Sequence, residues 1–359
     1  MTRLNKLHEI MIANNVDLVA LGPGAHMQWL LGFHPHADER PCLICVSITS
    51  AAFLMPALNA DGTRTNTDLP FYKWSDADGP EQAFGKLLGE LEIPDNCRVV
   101  LDETMRADFA SLVQDARPNA KINFTATTVG ALRMRKDDTE FQTLKENARI
   151  ADQAMKAGWA EMHAGMSELD AARVIRSKFS DLGAKPLFSI VGAGGNGAFP
   201  HHQTGDTVLR DGDAVVMDIG GGQNGYSSDI TRMAVIGRPP EGYEAVHAVV
   251  EAAVQAAMRA ARPGVQAKVV DAAARDVIAD AGYGEYFVHR TGHGMGVEVH
   301  EQPYLTSVSE TVLETGMVFS IEPGIYLPGR FGIRLEDIII LREDGPEIFS
   351  DLPRDLTMI

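Results

Sequence analysis

Four acidic residues in two matching frames are the part of this sequence best placed to do chemistry. Leu209-Arg-Asp-Gly-Asp-Ala-Val-Val-Met-Asp218-Ile-Gly and Leu313-Glu-Thr-Gly-Met-Val-Phe-Ser-Ile-Glu322-Pro-Gly share a turn glycine, a mostly apolar strand, a carboxylate six positions after that glycine, and a further glycine. Each is followed by a second apolar strand with its own acid, Asp229 in Tyr-Ser-Ser-Asp-Ile-Thr-Arg and Glu336 in Gly-Ile-Arg-Leu-Glu-Asp-Ile-Ile-Ile. A carboxylate in an apolar strand is costly to bury without a cationic partner, and several together cost more. For any one of them, a strand-edge acid facing solvent is the ordinary explanation. Four in matching frames point instead to bound divalent metal, with Arg334 available to pair with one of the acids.

A nitrogen ligand belongs with such a set. His289, His293 and His300 surround a glycine-rich turn, His289-Arg-Thr-Gly-His293-Gly-Met-Gly-Val-Glu-Val-His300. A lone histidine is usually a satisfied core or surface residue, but His293 sits between glycines that let the backbone approach closely and leave the imidazole accessible. Five ligands, mostly oxygen, suit Mn²⁺, Co²⁺, Fe²⁺ or Zn²⁺ without choosing among them.

Two other motifs are decoys. Cys42 and Cys45 form a CxxC pair, but they lie in the apolar run Pro41-Cys-Leu-Ile-Cys-Val-Ser-Ile, where cysteine behaves as a small hydrophobe. Gly192-Ala-Gly194-Gly-Asn-Gly197 matches GxGxxG, yet Ala198-Phe-Pro200-His-His cannot start the helix that dinucleotide binding needs. It reads better as a flexible turn that presents His201 and His202 to a pocket.

The elements around these residues indicate two domains of mixed α and β structure. At residues 1–125, short apolar runs (16–21, 42–48, 51–55, 98–101) alternate with helical stretches (3–14, 81–91, 106–116), the signature of an α/β domain. A long helix is expected from Asp137 to about His163, with Asp137 or Asp138 as N-cap. Amphipathic helices follow at 167–182, 243–261 and 267–281. The boundary falls near 126–136, where Arg133, Arg135 and Lys136 read as a solvated linker and helix start. Two hairpins delivering two acids each suggest a duplicated unit folded into a pseudo-symmetric domain.

Composition removes several functions. With 49 acidic against 32 basic residues the formal charge is −17, which argues against a nucleic-acid partner. No apolar run approaches the ~20 residues of a membrane span. Three cysteines make no disulfide framework, and the polar start lacks an apolar signal core, so a reducing cytoplasm is expected.

Asp218, Asp229, His293, Glu322 and Glu336, in this order and with these flanks, resemble the metal ligands of the creatinase/methionine-aminopeptidase ("pita-bread") superfamily, M24. The likeness is closest to its Xaa-Pro aminopeptidases and Xaa-Pro dipeptidases (prolidases). Gly-His-Gly-Met-Gly-Val-Glu-Val-His-Glu, Ile-Glu-Pro-Gly-Ile-Tyr and Gly-Ile-Arg-Leu-Glu-Asp are the specific blocks. Trp29-Leu-Leu-Gly-Phe and Glu39-Arg40 look like the creatinase-type N-terminal domain. The resemblance implies a creatinase-like α/β domain over 1–130 and a pita-bread catalytic domain over 131–359.

It further implies two divalent ions, Mn²⁺ first among them, and a bridging hydroxide that attacks the Xaa-Pro bond of short peptides. Asp218 and Glu336 would bridge or flank the ions, with Asp229 mostly on one and His293 on the other; Glu322 would be a ligand beside the reacting water and relay a proton. His201, more than His202, and His300 would face the substrate and the developing oxyanion. His289 matches another pocket histidine, and Tyr326 and Arg334 match supporting positions. Family likeness also predicts a homodimer, with His26–Arg40 near the partner's entrance. Some prolidases carry an arginine shortly after His-Glu-x-Pro, suited to a dipeptide carboxylate; Tyr304 stands there in this chain, which tilts away from strict dipeptides or means that the carboxylate is held elsewhere, and leaves dipeptidase and aminopeptidase both open. The competing readings are another small-molecule enzyme on the same scaffold, such as an ectoine-hydrolase-like amidohydrolase or a metal-dependent lyase, and a non-enzymatic scaffold.

Overall fold

The computed structural model describes residues 2–359. Its chain divides after Arg133 into two compact units. In the first, six strands run in the order Phe71–Trp74, Ala51–Pro56, Leu43–Val46, Leu18–Leu21, Arg98–Leu101, Lys121–Phe124. Leu18–Leu21 pairs parallel with Arg98–Leu101 and antiparallel with Leu43–Val46, so the sheet is mixed. Phe84, Leu87 and Leu88 of the helix Glu81–Glu90, with Phe109 and Val113 of Ala107–Ala116, bury their apolar faces in this sheet's core. Cys42 and Cys45 are free and buried in it, and burial pushes the Cys42 thiol up to about 12, as suits a small hydrophobe. Phe71–Trp74 and Lys121–Phe124 lack a clear apolar run and escape the sequence reading.

The expected solvated linker is not one. Val129–Met134 is a helix; Arg133 is buried and donates to His26 Nδ1 at 2.9 Å. Lys136 pairs with Glu301 at 2.8 Å with both side chains almost sealed, while Arg135 reaches Glu314 at 2.5 Å. The local sequence shows three cations; their partners lie far along the chain.

In the second unit the helix Asp138–Glu161 opens on a full capping box, Asp137 accepting from the Glu140 amide and Glu140 from the Asp137 amide. Glu168–Asp181 is capped by Ser167. These two helices bury Ala151, Met155, Ile175 and Phe179 against Ala214–Gln223 and its neighbouring strands Lys185–Ala193 and Ile230–Val235. Tyr243–Ala260 and Ala267–Asp280 form the second helix pair. Their core includes Phe319 and Ile339 of a second sheet, Glu301–Leu305, Gly292–Gly294, Val318–Ile321, Asp337–Arg342, Gly345–Ile348.

The duplication extends to single hydrogen bonds. Gly165 N–H donates to Leu209 C=O and Gly264 N–H to Leu313 C=O, both at 2.8 Å; Gly212 donates to Ile236 and Gly316 to Leu341 at 2.7 and 2.8 Å. Gly212 and Gly316, the turn glycines of the two frames, have φ of +93° and +87°, which side-chain-bearing residues rarely adopt. The same turn therefore launches each acid-bearing strand.

Candidate metal centre and active site

Asp218 lies on Ala214–Gln223 directly opposite Thr231 of Ile230–Val235, and Asp229 immediately precedes that partner strand. Glu322 follows Val318–Ile321 and Glu336 precedes Asp337–Arg342, an antiparallel pair with the two-stranded excursion Gly324–Leu327 and Phe331–Arg334 between its strands, so the second expected hairpin is interrupted. His293 is the middle residue of Gly292–Gly294. A Cβ on Gly292 would stand 1.9 Å from the Ser320 carbonyl oxygen, and one on Gly294 2.1 Å from that of Gln302. Only glycine on both sides brings His293 this deep.

The five side chains converge. Asp218, Asp229 and Glu336 each place an oxygen within 4.8 Å of the others, and His293, Glu322 and Glu336 form a second such group, so Glu336 belongs to both. His293 Nδ1 donates to the Gly294 carbonyl at 3.1 Å, which leaves Nε2 unprotonated, 3.2 Å from Glu322 Oε1 and 3.7 Å from Asp229 Oδ2. Burial lowers His293 to about 3, so the ring is neutral. Asp229 and Glu336 are held well above the usual carboxylate range, first by burial and then by the charges of the other acids. Glu322 is raised to about 7 by burial, against the opposing pull of Arg334.

Asp218 Oδ1, Asp229 Oδ1 and Glu336 Oε1 are buried with no hydrogen-bond partner among the described residues. Three orphaned carboxylate oxygens in one place are expensive unless cations sit among them. The donor set, four carboxylates and one imidazole nitrogen, fits divalent cations.

One arginine organises the remaining oxygens. Arg334 Nη2 donates to Asp218 Oδ2 at 2.5 Å, and its Nε donates to Thr231 Oγ1 at 3.1 Å. Thr231 in turn donates to Glu336 Oε2 at 2.7 Å. Arg334 Nη1 donates to the Tyr326 hydroxyl at 2.8 Å, Tyr326 donates to His289 Nε2 at 2.7 Å, and His289 Nδ1 donates to the Arg290 carbonyl at 2.7 Å. Burial keeps His289 at about 3, hence neutral, and pushes Tyr326 up to about 12. The structure thus gathers His289, Tyr326 and Arg334 into a chain whose polar atoms are committed to one another and to Asp218.

A cavity of about 600 Å³ opens above the carboxylates, lined also by Phe188, Ile190, Pro200, His201, Arg290, Val299 and His300. The His300 ring stands 4.1 Å from that of His293, and burial, then the charge of Arg290, lowers its pKa. His201 lines the cavity but His202 does not: its Nε2 donates to Glu168 Oε2 at 2.8 Å. Nor is the glycine-rich turn loosely held. It is a single 3₁₀ turn, Gly194–Ala198, and the sealed Glu168 carboxylate accepts from the Ala193 amide and the Asn196 side chain, both at 2.9 Å. Glu168 fixes the segment that carries His201.

The sequence alone does not single out Glu168, Thr231, Ser320 or Arg290. Ser320 accepts from the His293 amide at 2.9 Å and donates to Glu322 at 3.1 Å. A Thr two residues after Asp229 and a Ser two before Glu322 were the available signals, and both are too common to choose by type alone.

The chain is similar to known proteins over nearly its whole length. The family model described as metallopeptidase family M24 matches residues 142–343, and that for the creatinase/prolidase N-terminal domain matches 3–135. The probable dipeptidase PepE of Mycobacterium tuberculosis is 36% identical, with 95% of this chain and 92% of that one covered. The Xaa-Pro dipeptidase of Pyrococcus horikoshii is 31% identical over 99% of this chain and 98% of its own. Among solved structures, dipeptidase PepE from Mycobacterium ulcerans superposes with a TM-score of 0.94 at 34% identity, covering 99% of this chain and 97% of that one.

Proposed function

We propose, on the premise that this chain belongs to metallopeptidase family M24 and is a metallopeptidase, that it hydrolyses the Xaa-Pro bond of dipeptides with two divalent ions held by Asp218, Asp229, His293, Glu322 and Glu336. The observation that carries this reading is the trio of orphaned buried oxygens on Asp218, Asp229 and Glu336, converging with the bare Nε2 of His293. The names of the relatives, dipeptidase and Xaa-Pro dipeptidase, support the substrate class.

Bound at this centre, the ions supply Lewis acidity that polarises a carbonyl and makes hydroxide available near neutral pH. The remaining work falls to side chains. Glu322, at the wall of the cavity beside the proposed ions, accepts the proton of the attacking water and delivers it to the prolyl nitrogen as the C–N bond breaks. His300 and His201, at the cavity wall, donate N–H groups to the developing oxyanion. Arg334, Tyr326 and His289 hold Asp218 in place, and Thr231 holds Glu336. A bonded proline has no N–H, so a site walled by Phe188, Ile190 and Val299 accepts its ring without needing a partner for one.

Mn²⁺ is the ion proposed first. The proposed assembly is a cytoplasmic homodimer, which light scattering in solution tests directly. Among the described residues no helix is long and apolar enough to cross a membrane.

The functional test is turnover of Gly-Pro, Ala-Pro and a longer Xaa-Pro-Xaa peptide by Mn²⁺-loaded protein, with Asp229→Ala as control. Cleavage lost in the variant is expected. No cleavage of any peptide by metal-loaded wild type would overturn the reading in favour of another small-molecule reaction on this scaffold.

A further inference from the structure

Two arginines line the cavity and they are differently occupied. Arg334 spends its donors on Asp218, Thr231 and Tyr326. The Arg290 guanidinium, by contrast, makes no hydrogen bond and meets no carboxylate at ion-pair distance among the described residues. Its recorded partner is the face of Tyr304, 4.5 Å from the ring centroid. Stacking on an aromatic ring holds the planar fork in one orientation while leaving its N–H edge free for a bidentate anion. A half-buried cation with no anion of its own, in a cavity built around a hydrolytic centre, is a binding group without its ligand.

Position narrows what the ligand is. Arg290 lies three residues before His293, and Tyr304 is the register partner of His293 across the strand pair Gly292–Gly294 and Glu301–Leu305. Arg290, His293, His300 and Glu322 line the same cavity. In a Xaa-Pro dipeptide the free carboxylate sits on the residue whose nitrogen is released, within about one Cα–Cα step, ~3.8 Å, of the reacting bond. Its anchor must therefore stand within a side chain's reach of the metal ligands, as Arg290 does. In a longer peptide a neutral amide occupies that place, and the guanidinium is desolvated without compensation.

We propose that Arg290, splinted on Tyr304, binds the C-terminal carboxylate of the substrate and so restricts the site to dipeptides. Tyr304 stands where some prolidases carry an arginine; in this chain it supports one from the preceding loop instead. The inference rests on the Xaa-Pro hydrolase reading and adds the residue that sets substrate length.

The test compares kcat/KM for Ala-Pro and Ala-Pro-amide in the Mn²⁺-loaded wild type, Arg290→Met and Arg290→Lys. Wild type is expected to prefer the acid by on the order of 100-fold, the worth of a charged hydrogen-bonded pair, mostly through KM. Arg290→Met brings the ratio near one, and Arg290→Lys, which keeps the charge and loses the fork, falls between. Calorimetry on metal-free protein supplies a second readout: the reduced-bond Ala-Pro isostere binds more tightly than its amide in wild type and equally in Arg290→Met. Turnover of both substrates without preference, or a preference that survives in Arg290→Met, overturns the role of Arg290 alone. Turnover of neither overturns the hydrolase reading and this inference with it.

Discussion

The hydroxyl of Thr231 donates to Glu336 Oε2 at 2.7 Å across 105 residues of sequence, while accepting from Arg334 Nε at 3.1 Å. A neutral side chain thus fixes which oxygen of Glu336 faces its neighbours. Arg334 governs two carboxylates, Asp218 directly and Glu336 through Thr231.

Removing that hydroxyl releases Glu336 without touching a proposed ligand. Thr231→Val is expected to weaken metal binding by roughly 10–100-fold, the usual cost of losing a partner that orients a ligand. Titration calorimetry with Mn²⁺ measures it. Thr231→Ser keeps the donor and is expected to restore most of the affinity; equal losses in both variants would contradict the orienting role.

The clustered acids give the metal-free protein a distinctive pH response. Glu322 titrates near 7 in the folded state instead of near 4.5, and Asp229 and Glu336 are also raised. A raised folded-state pKa contributes stability below the unfolded value that is lost as pH rises through the folded one. His289 and His293 act in the opposite sense, at about 3 against 6.5 unfolded, so their effect is confined to pH below 6.5. Above pH 6.5 the histidine contribution is gone and that of the acids remains, so the Tm of chelator-treated protein is expected to fall as pH rises through 7. Added Mn²⁺ raises Tm, and more so at the higher pH. Scanning calorimetry checks both, and a metal-free Tm that climbs over this range would contradict the burial of ionised acids.

Glu168→Gln tests the support under His201. Its amide would present donors to the His202 ring and the Gly205 amide, which now donate to the carboxylate. A stability loss of about 1–3 kcal/mol is expected. With it, kcat/KM falls while Mn²⁺ affinity holds, because Glu168 is proposed to act on the cavity wall and not on the ions. Loss of Mn²⁺ affinity would place Glu168 in the metal site itself.

The approach of His293 is equally exposed to test. An alanine at Gly292 drives its Cβ into the Ser320 carbonyl, so the strand pair must open and carry His293 away. Gly292→Ala is expected to abolish measurable Mn²⁺ binding and to lose at least the ~1–3 kcal/mol typical of overpacking. Wild-type affinity in this variant would refute the steric argument.

What could be read from sequence and what could not divides by the range of the interaction. The frame around Asp218 and Glu322 was legible because a left-handed turn glycine, an apolar strand and an acid recur at fixed short spacing. Asp137 announced its helix for the same reason, since a capping box is complete within three residues. The local sequence makes Lys136 look solvated because its partner, Glu301, lies 165 residues away. The sequence favours His201 over its neighbour His202 without showing why; the fold supplies the reason by bringing Glu168 beneath His202 from 34 residues upstream. Thr231 and Arg290 are too ordinary by type to be chosen from sequence; one acts through Glu336 and the other is distinguished by lacking an ion pair in a half-buried place.

Metal stoichiometry coupled to activity tests the central claim most directly. Chelator-stripped protein is titrated with Mn²⁺ while bound metal per chain and Ala-Pro hydrolysis are followed together. The account predicts two ions per chain, hydrolysis that depends on them, and loss of both ion binding and hydrolysis in Asp229→Ala. Hydrolysis of Ala-Pro by metal-free protein, or an active wild type that holds no ion at these carboxylates, would contradict it.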